Sequence, residues 1–122
     1  MTLLLDAHAF LWWVAQDRRL SAIARAAVAG NPCLVSAVTV WEIAIKRATG
    51  KLTAPDDLVA SLAREGFEEL PVTAAHGEAA GALPPHHRDP FDRMLVAQAK
   101  AERLTVVTVD PAFAAYGVPV VW

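Results

Sequence analysis

Residues 88–110 read RDPFDRMLVAQAKAERLTVVTVD. Two aspartates three apart, Asp89 and Asp92, open the stretch, and Asp110 closes it. Between them Leu95, Val96 and Ala99 recur at helical spacing, and the β-branched run LTVVTV follows. The stretch predicts a helix, PFDRMLVAQAKAE, feeding a strand, LTVVTVD, with a carboxylate at each junction. Helix starts favour acids for capping reasons alone. Convergence on a cation is the other reason to place acids at element ends.

The same alternation runs outward along the chain. TLLLD reads as a short buried strand ending on Asp6, followed by the helical pattern AHAFLWWVAQD. LSAIARAAVAGN is a helix with Ser21 as N-cap and Gly30 as stop. PCLVSA is a strand, VTVWEIAIKRATG a helix closed by Gly50, and DDLVASLAREG a helix closed by Gly66. FEELPV is a strand, TAAHGEAAGAL a helix and PPHHRD a polar loop. After residue 110 come a short helix, PAFAAYG, and a last strand, VPVVW.

Most of these strands are apolar throughout, as in a parallel sheet covered on both faces. The expectation is a three-layer α/β/α sandwich with a central, mainly parallel five-stranded sheet, forming one domain over residues 1–122. With 55% hydrophobic and 20% charged residues the chain is globular rather than disordered. The single cysteine, Cys33, excludes an internal disulfide and a Cys-rich zinc site and favours a reducing, cytoplasmic setting. No signal peptide is read, and no apolar run approaches the roughly 20 residues that span a bilayer. A net charge of −2 advertises no nucleic-acid binding, though local patches matter more than totals.

In open parallel sheets the ligand site lies beyond the carboxyl ends of the strands. Asp6 and Asp110 belong there, and Glu42 and Asp92 fall in the first turns of helices leaving that edge. Capping explains Asp89, which has proline at the first helical position after it. Asp92 shares a helix face with Leu95, Val96 and Ala99, where a purely structural acid would turn to solvent. Glu42 interrupts VTVWEIAI, and a buried carboxylate must be paired, neutral or bound to a cation. Lys46, four residues on, offers an ordinary ion pair as the plain explanation. Capping alone also accounts for Asp6 or Asp110 taken singly; the convergence of all four carries the functional reading.

His8 stands two residues past Asp6 and lines the same region. His86 and His87 lie in a loop next to Asp89, where zinc is one possible ligand, but they lack the helical spacing of zinc motifs and read as a solvated loop. Trp12 and Trp13 point different ways on one helix, so one is assigned to the core and the other to a protein interface.

Four carboxylates without a soft ligand favour a hard divalent cation, Mg²⁺ or Mn²⁺, as metal and catalytic ligands Asp6, Glu42, Asp92 and Asp110 would hold it. Such a site lowers the pKa of a bound water and stabilises charge on a phosphate in transfer. Candidate cations to offset the acids are Lys46, Arg47, Arg88 and Arg93.

Taken together and in order, LLLDAHAFLWW, VSAVTVWEIAIKRATGKL, DPFDRMLVAQA and VVTVD resemble the PIN-domain ribonuclease toxins of the VapC type. The resemblance covers nearly the whole chain. Asp6, Glu42, Asp92 and Asp110 match the acids of that family, and Thr108 matches its threonine in TxD. Many members carry Ser or Thr straight after the first aspartate, where this chain has Ala7, and many have Asn where His8 stands. The resemblance implies a Mg²⁺- or Mn²⁺-dependent endoribonuclease of a toxin–antitoxin pair, dimeric and blocked by a cognate antitoxin. Thr108, His8 and Asp89 would then surround the metal ligands, and Trp12 or Trp13 would wall the antitoxin groove. Two other readings stand beside it. An aspartate-based phosphatase or phosphotransfer domain needs a second aspartate near the first, or a lysine after a late strand; LLLDAHAF and VVTVDPAF supply neither. A non-enzymatic binding module would use its acids only as caps.

Overall fold

The computed structural model describes residues 1–122. Five strands, β1 (Leu3–Leu5), β2 (Cys33–Ser36), β3 (Glu68–Leu70), β4 (Thr105–Val107) and β5 (Val120–Val121), form one sheet in the order β3-β2-β1-β4-β5. All four pairings are parallel. Six α-helices accompany them: α1 (Ala7–Val14), α2 (Ala22–Gly30), α3 (Ala37–Ala48), α4 (Leu58–Arg64), α5 (Ala74–Ala82) and α6 (Pro90–Glu102). The segment PAFAAY, expected as a short helix, is a 3-10 turn over Pro111–Tyr116. No helix is long and apolar enough to cross a membrane.

Strand periodicity of two explains the layers. In the central strand, Leu3 and Leu5 join Phe10, Val28, Ile43 and Leu62 in one apolar cluster. Leu4 joins Leu95, Val96, Ala99 and Phe113 in another. All three leucines of β1 are fully buried, so truncating any one costs roughly 2–5 kcal/mol. The edge strand β3 departs from the apolar rule, since Glu68 and Glu69 are exposed. Charges on an edge discourage pairing with another chain.

Chain punctuation follows local chemistry. Ser21 accepts the Ala24 N–H and caps α2, and Asp57 accepts the Ala60 N–H and caps α4. Gly50 and Gly66, past the ends of α3 and α4, both take φ of +73°, which a side chain would resist.

Parallel pairing puts every strand's carboxyl end on one edge of the sheet. Asp6 follows β1 there, and Asp110 stands three residues beyond β4. Ser36 ends β2 and caps α3 by accepting the Val38 N–H, so α3 leaves from the same edge. Helix α6 returns the chain to the amino end of β4, which leaves its own start at the carboxyl edge.

Candidate metal centre

The four acids singled out in the sequence line one cleft of about 160 Å³, with Asp89, His8, Lys46, Ala7 and Val109 completing its wall. They arrive by two local devices, capping and placement within a helix. Asp6 ends the approach to α1 and accepts the Ala9 N–H on Oδ1 at 2.9 Å. Asp110 accepts the Ala112 N–H on Oδ1 at 2.9 Å. Both are therefore caps, and each still has a second oxygen for the cleft. Asp89 accepts the Phe91 N–H at 2.8 Å, the cap expected of it. Glu42 and Asp92 cap nothing. Helix α3 begins at Ala37, so Glu42 lies in its second turn, one turn later than expected.

Glu42 is 5% exposed, and its Oε2 meets Lys46 Nζ at 2.6 Å. The ion pair expected as the plain explanation of Glu42 is thus real, and it lies inside the acidic cleft. Lys46 in turn is held above the usual lysine range, first by its hydrogen bond to Glu42 and further by Asp89 and Asp92.

Charge crowding shows in the acids themselves. Burial pushes the Asp6 carboxyl up, against hydrogen bonds from Thr108 and the Ala9 N–H. Burial, followed by the negative charge of Asp89, pushes Asp92 up to about 7. Five carboxylates face Lys46 as the one lysine or arginine in the cleft wall. A site that crowds hard oxygen donors until one of them retains its proton is deficient in positive charge. That crowded set of oxygen donors suits a divalent metal ion.

His87 corrects the sequence expectation. It is not a solvated loop residue: its side chain is 19% exposed, and Nε2 lies 2.9 Å from Asp92 Oδ2 and 3.0 Å from Asp110 Oδ2. These three side chains form a group close enough to share one ion. Loop spacing carries no period, so nothing in PPHHRD marked which histidine turned inward. His86, by contrast, is exposed and lies edge-on to Tyr116.

Two of the candidate cations serve the backbone instead. Arg93 binds Ala80 O, Leu83 O, Pro84 O and His87 O, fastening the loop before α6. Arg47 binds Pro55 O and Asp56 O and fastens the loop before α4. Arg88 is exposed on the loop.

The assignment of one tryptophan to the core also changes. Trp12 and Trp13 are both half-buried. Trp12 stacks on His8 at 5.2 Å and carries the Arg19 guanidinium 4.9 Å from its ring centre. Trp13 leans on Phe67. The most exposed aromatic is one the sequence did not single out, Trp41, which is 61% exposed and meets Phe91 edge-on at 5.4 Å. The Thr108 hydroxyl accepts the Asp110 N–H at 3.0 Å, which ties two acids of the cleft to one residue.

Comparison with known proteins agrees with this architecture. No curated protein sequence matches the chain. Among solved structures, VapBC2 from Rickettsia felis, bound to a promoter DNA fragment, matches with a TM-score of 0.68 at 15% identity. The match covers 98% of this chain and 97% of that one. A toxin–antitoxin complex from Klebsiella pneumoniae gives a TM-score of 0.68 at 22% identity, covering 98% and 96%. VapBC-5 of Mycobacterium tuberculosis, a toxin–antitoxin system of the VapBC family, gives 0.60 at 20% identity, covering 98% and 96%. At such identities the likeness shows the fold. The PIN domain family model matches residues 3–119, and the chain belongs to that family.

Proposed function

We propose that this PIN domain is a divalent-metal-dependent endoribonuclease of the VapC type, the toxin of a toxin–antitoxin pair working in the cytoplasm. The observation that carries the reading is the cleft where Asp6, Glu42, Asp92 and Asp110 meet, with more negative charge than Lys46 offsets. A bound Mg²⁺ or Mn²⁺ would neutralise phosphate charge there and lower the pKa of a bound water. The chain's own part is to hold and orient. Cap bonds from Ala9 and Ala112 fix one oxygen each of Asp6 and Asp110. Thr108 steadies the same two residues, and Lys46 holds the Glu42 carboxylate at the cleft wall. Asp92 must give up its proton before it can serve as a ligand.

The rival of a non-enzymatic module rests on a specific fact, that Asp6, Asp89 and Asp110 do cap helices. Glu42 and Asp92 are outside its reach, since neither bonds a helix-start N–H. Incubating the purified chain with labelled RNA, with Mn²⁺ and with chelator, separates the readings. Metal-dependent cleavage lost in Glu42→Gln is expected; cleavage equal with and without chelator would contradict the proposal. Sequencing RNA 5′ ends after brief induction in cells then identifies the cut sites.

Two partners go with this reading. The solved toxin–antitoxin complexes that share the fold support a cognate antitoxin. A groove of about 460 Å³ beside the acids, sharing His8 with their cleft and walled by Leu11 and Trp12, is a place for an apolar anchor. An antitoxin Arg or Lys could then reach the carboxylates. A homodimer is supported by the apolar strip of Trp41, Ile45 and Phe91.

A further inference from the structure

His87 touches two of the acids, and the metal reading leaves it without a role. Its distances alone would suit a ligand. Adjacent ligands around an ion at about 2.1 Å are roughly 3 Å apart in an octahedral shell. Nε2 stands 2.9 and 3.0 Å from the Oδ2 atoms of Asp92 and Asp110.

The other ring nitrogen decides otherwise. Nδ1 accepts the backbone N–H of Asp89 at 3.2 Å, so Nδ1 presents a lone pair and the proton of the neutral ring is on Nε2. A ligating Nε2 would need that proton moved to Nδ1, where it would face the Asp89 N–H, donor against donor. Metal-bound histidines ordinarily offer the second N–H to an acceptor. Here the fold provides a donor instead.

The ring has little freedom to escape this arrangement. The His87 N–H donates to Tyr116 Oη at 2.9 Å, and Tyr116 donates to Pro84 O at 2.8 Å. Arg93 Nη1 donates to His87 O at 3.2 Å, and Arg93 Nη2 donates to Ala80 O and Leu83 O, both at 2.9 Å. The loop is thus fastened to α5, to α6 and to the 3-10 turn, and the imidazole is delivered between two carboxylates.

We infer that His87 is a positioning residue of the acidic centre, an Nε2–H donor to Asp110 Oδ2 that also stands against Asp92 Oδ2, and is not itself a metal ligand. The inference rests on the metal reading of the cleft. Set between the two acids, the Nε2–H offsets part of their mutual repulsion. Its hydrogen bond fixes Asp110 Oδ2, and its contact with Asp92 Oδ2 limits how the second carboxylate can turn. Hydrogen-bond partners of metal ligands are typically worth about 10–100-fold in affinity.

The test is Mn²⁺ binding followed by the free-ion EPR signal, with pulsed EPR of the bound ion, on the whole chain. The proteins are wild type, His87→Ala and His87→Gln, with apo melting curves as a folding check. The main-chain bonds to Tyr116 and Arg93 survive both substitutions. His87→Ala should weaken Mn²⁺ by about 10–100-fold. His87→Gln should recover most of the loss, because its amide can donate to the same oxygens. Bound Mn²⁺ in wild type should show no directly coordinated imidazole nitrogen. A direct ¹⁴N coupling that disappears in His87→Ala would overturn the inference in favour of a ligand. Unchanged affinity in His87→Ala, or no recovery in a folded His87→Gln, would also overturn it. Wild-type protein that binds no Mn²⁺ would remove the metal reading itself, and the inference with it.

Discussion

Asp57 and Asp110 do the same thing at two distant places. Each precedes a helical segment and accepts an N–H from its first turn, Ala60 for Asp57 and Ala112 for Asp110. There the likeness ends. Asp57 is exposed, and its carboxylate bonds nothing else. Asp110 lies at the carboxyl edge of the sheet, and its second oxygen meets His87 beside Asp92 and Asp6. Capping and chemistry are therefore not rival explanations of an aspartate. A cap uses one carboxylate oxygen, and the position of the helix start in the sheet decides what the other one meets.

The largest expected effects separate those two positions. Asp92→Asn and Asp110→Asn should each lower metal-dependent RNA cleavage by more than about 100-fold, exceeding the loss typical of residues that only support metal ligands. Asn still caps, so Asp110→Asn should melt close to wild type. Asp57→Asn should leave both readouts unchanged. Cleavage surviving in Asp110→Asn would collapse the distinction between the two caps.

Next comes pH. Asp92 is pushed up to about 7, from an ordinary value near 3.8. Below pH 7 the cation must displace its proton, so Mn²⁺ affinity should fall by up to about tenfold per pH unit. The sign for stability runs the other way. A carboxyl with a raised folded-state pKa stabilises the apo fold most at acid pH and loses that contribution as pH climbs through about 7. Apo Asp92→Asn should therefore be more stable than wild type at pH 8, by roughly 1–2 kcal/mol after allowance for partial exposure. A destabilised apo Asp92→Asn would mean that its carboxylate serves the fold.

Smaller effects belong to the caps alone. Asp57→Ala should cost about 1 kcal/mol in a denaturant titration while cleavage stays intact. Asp89→Asn should change least, because asparagine caps α6 as well as aspartate does. A dead Asp89→Asn enzyme would move Asp89 from cap to ligand.

The contrast also shows where sequence reading reaches and where it stops. Apolar and β-branched runs such as LLL and TVV, alternating with helical patterns, are what a covered parallel sheet requires, so strand order apart, the layers were legible. That the four acids meet in one cleft was legible because strand ends and helix starts have sequence marks, which place Asp6, Asp92 and Asp110, and because Glu42 interrupts an apolar run. His87 was not, because its inward turn depends on Arg93 and Tyr116, which reach the loop from other elements. Trp41 escaped notice for a similar reason. An apolar residue in an amphipathic helix reads as core, and only the packing of α3 shows its ring outside.

The most direct test of the centre is a calorimetric titration of Mn²⁺ into the purified chain and into Asp92→Asn, both at pH 8. The account predicts saturable binding by wild type and at least a tenfold weaker isotherm for Asp92→Asn. Equal binding by the two proteins, or none by wild type, would contradict the claim that these carboxylates form a metal site.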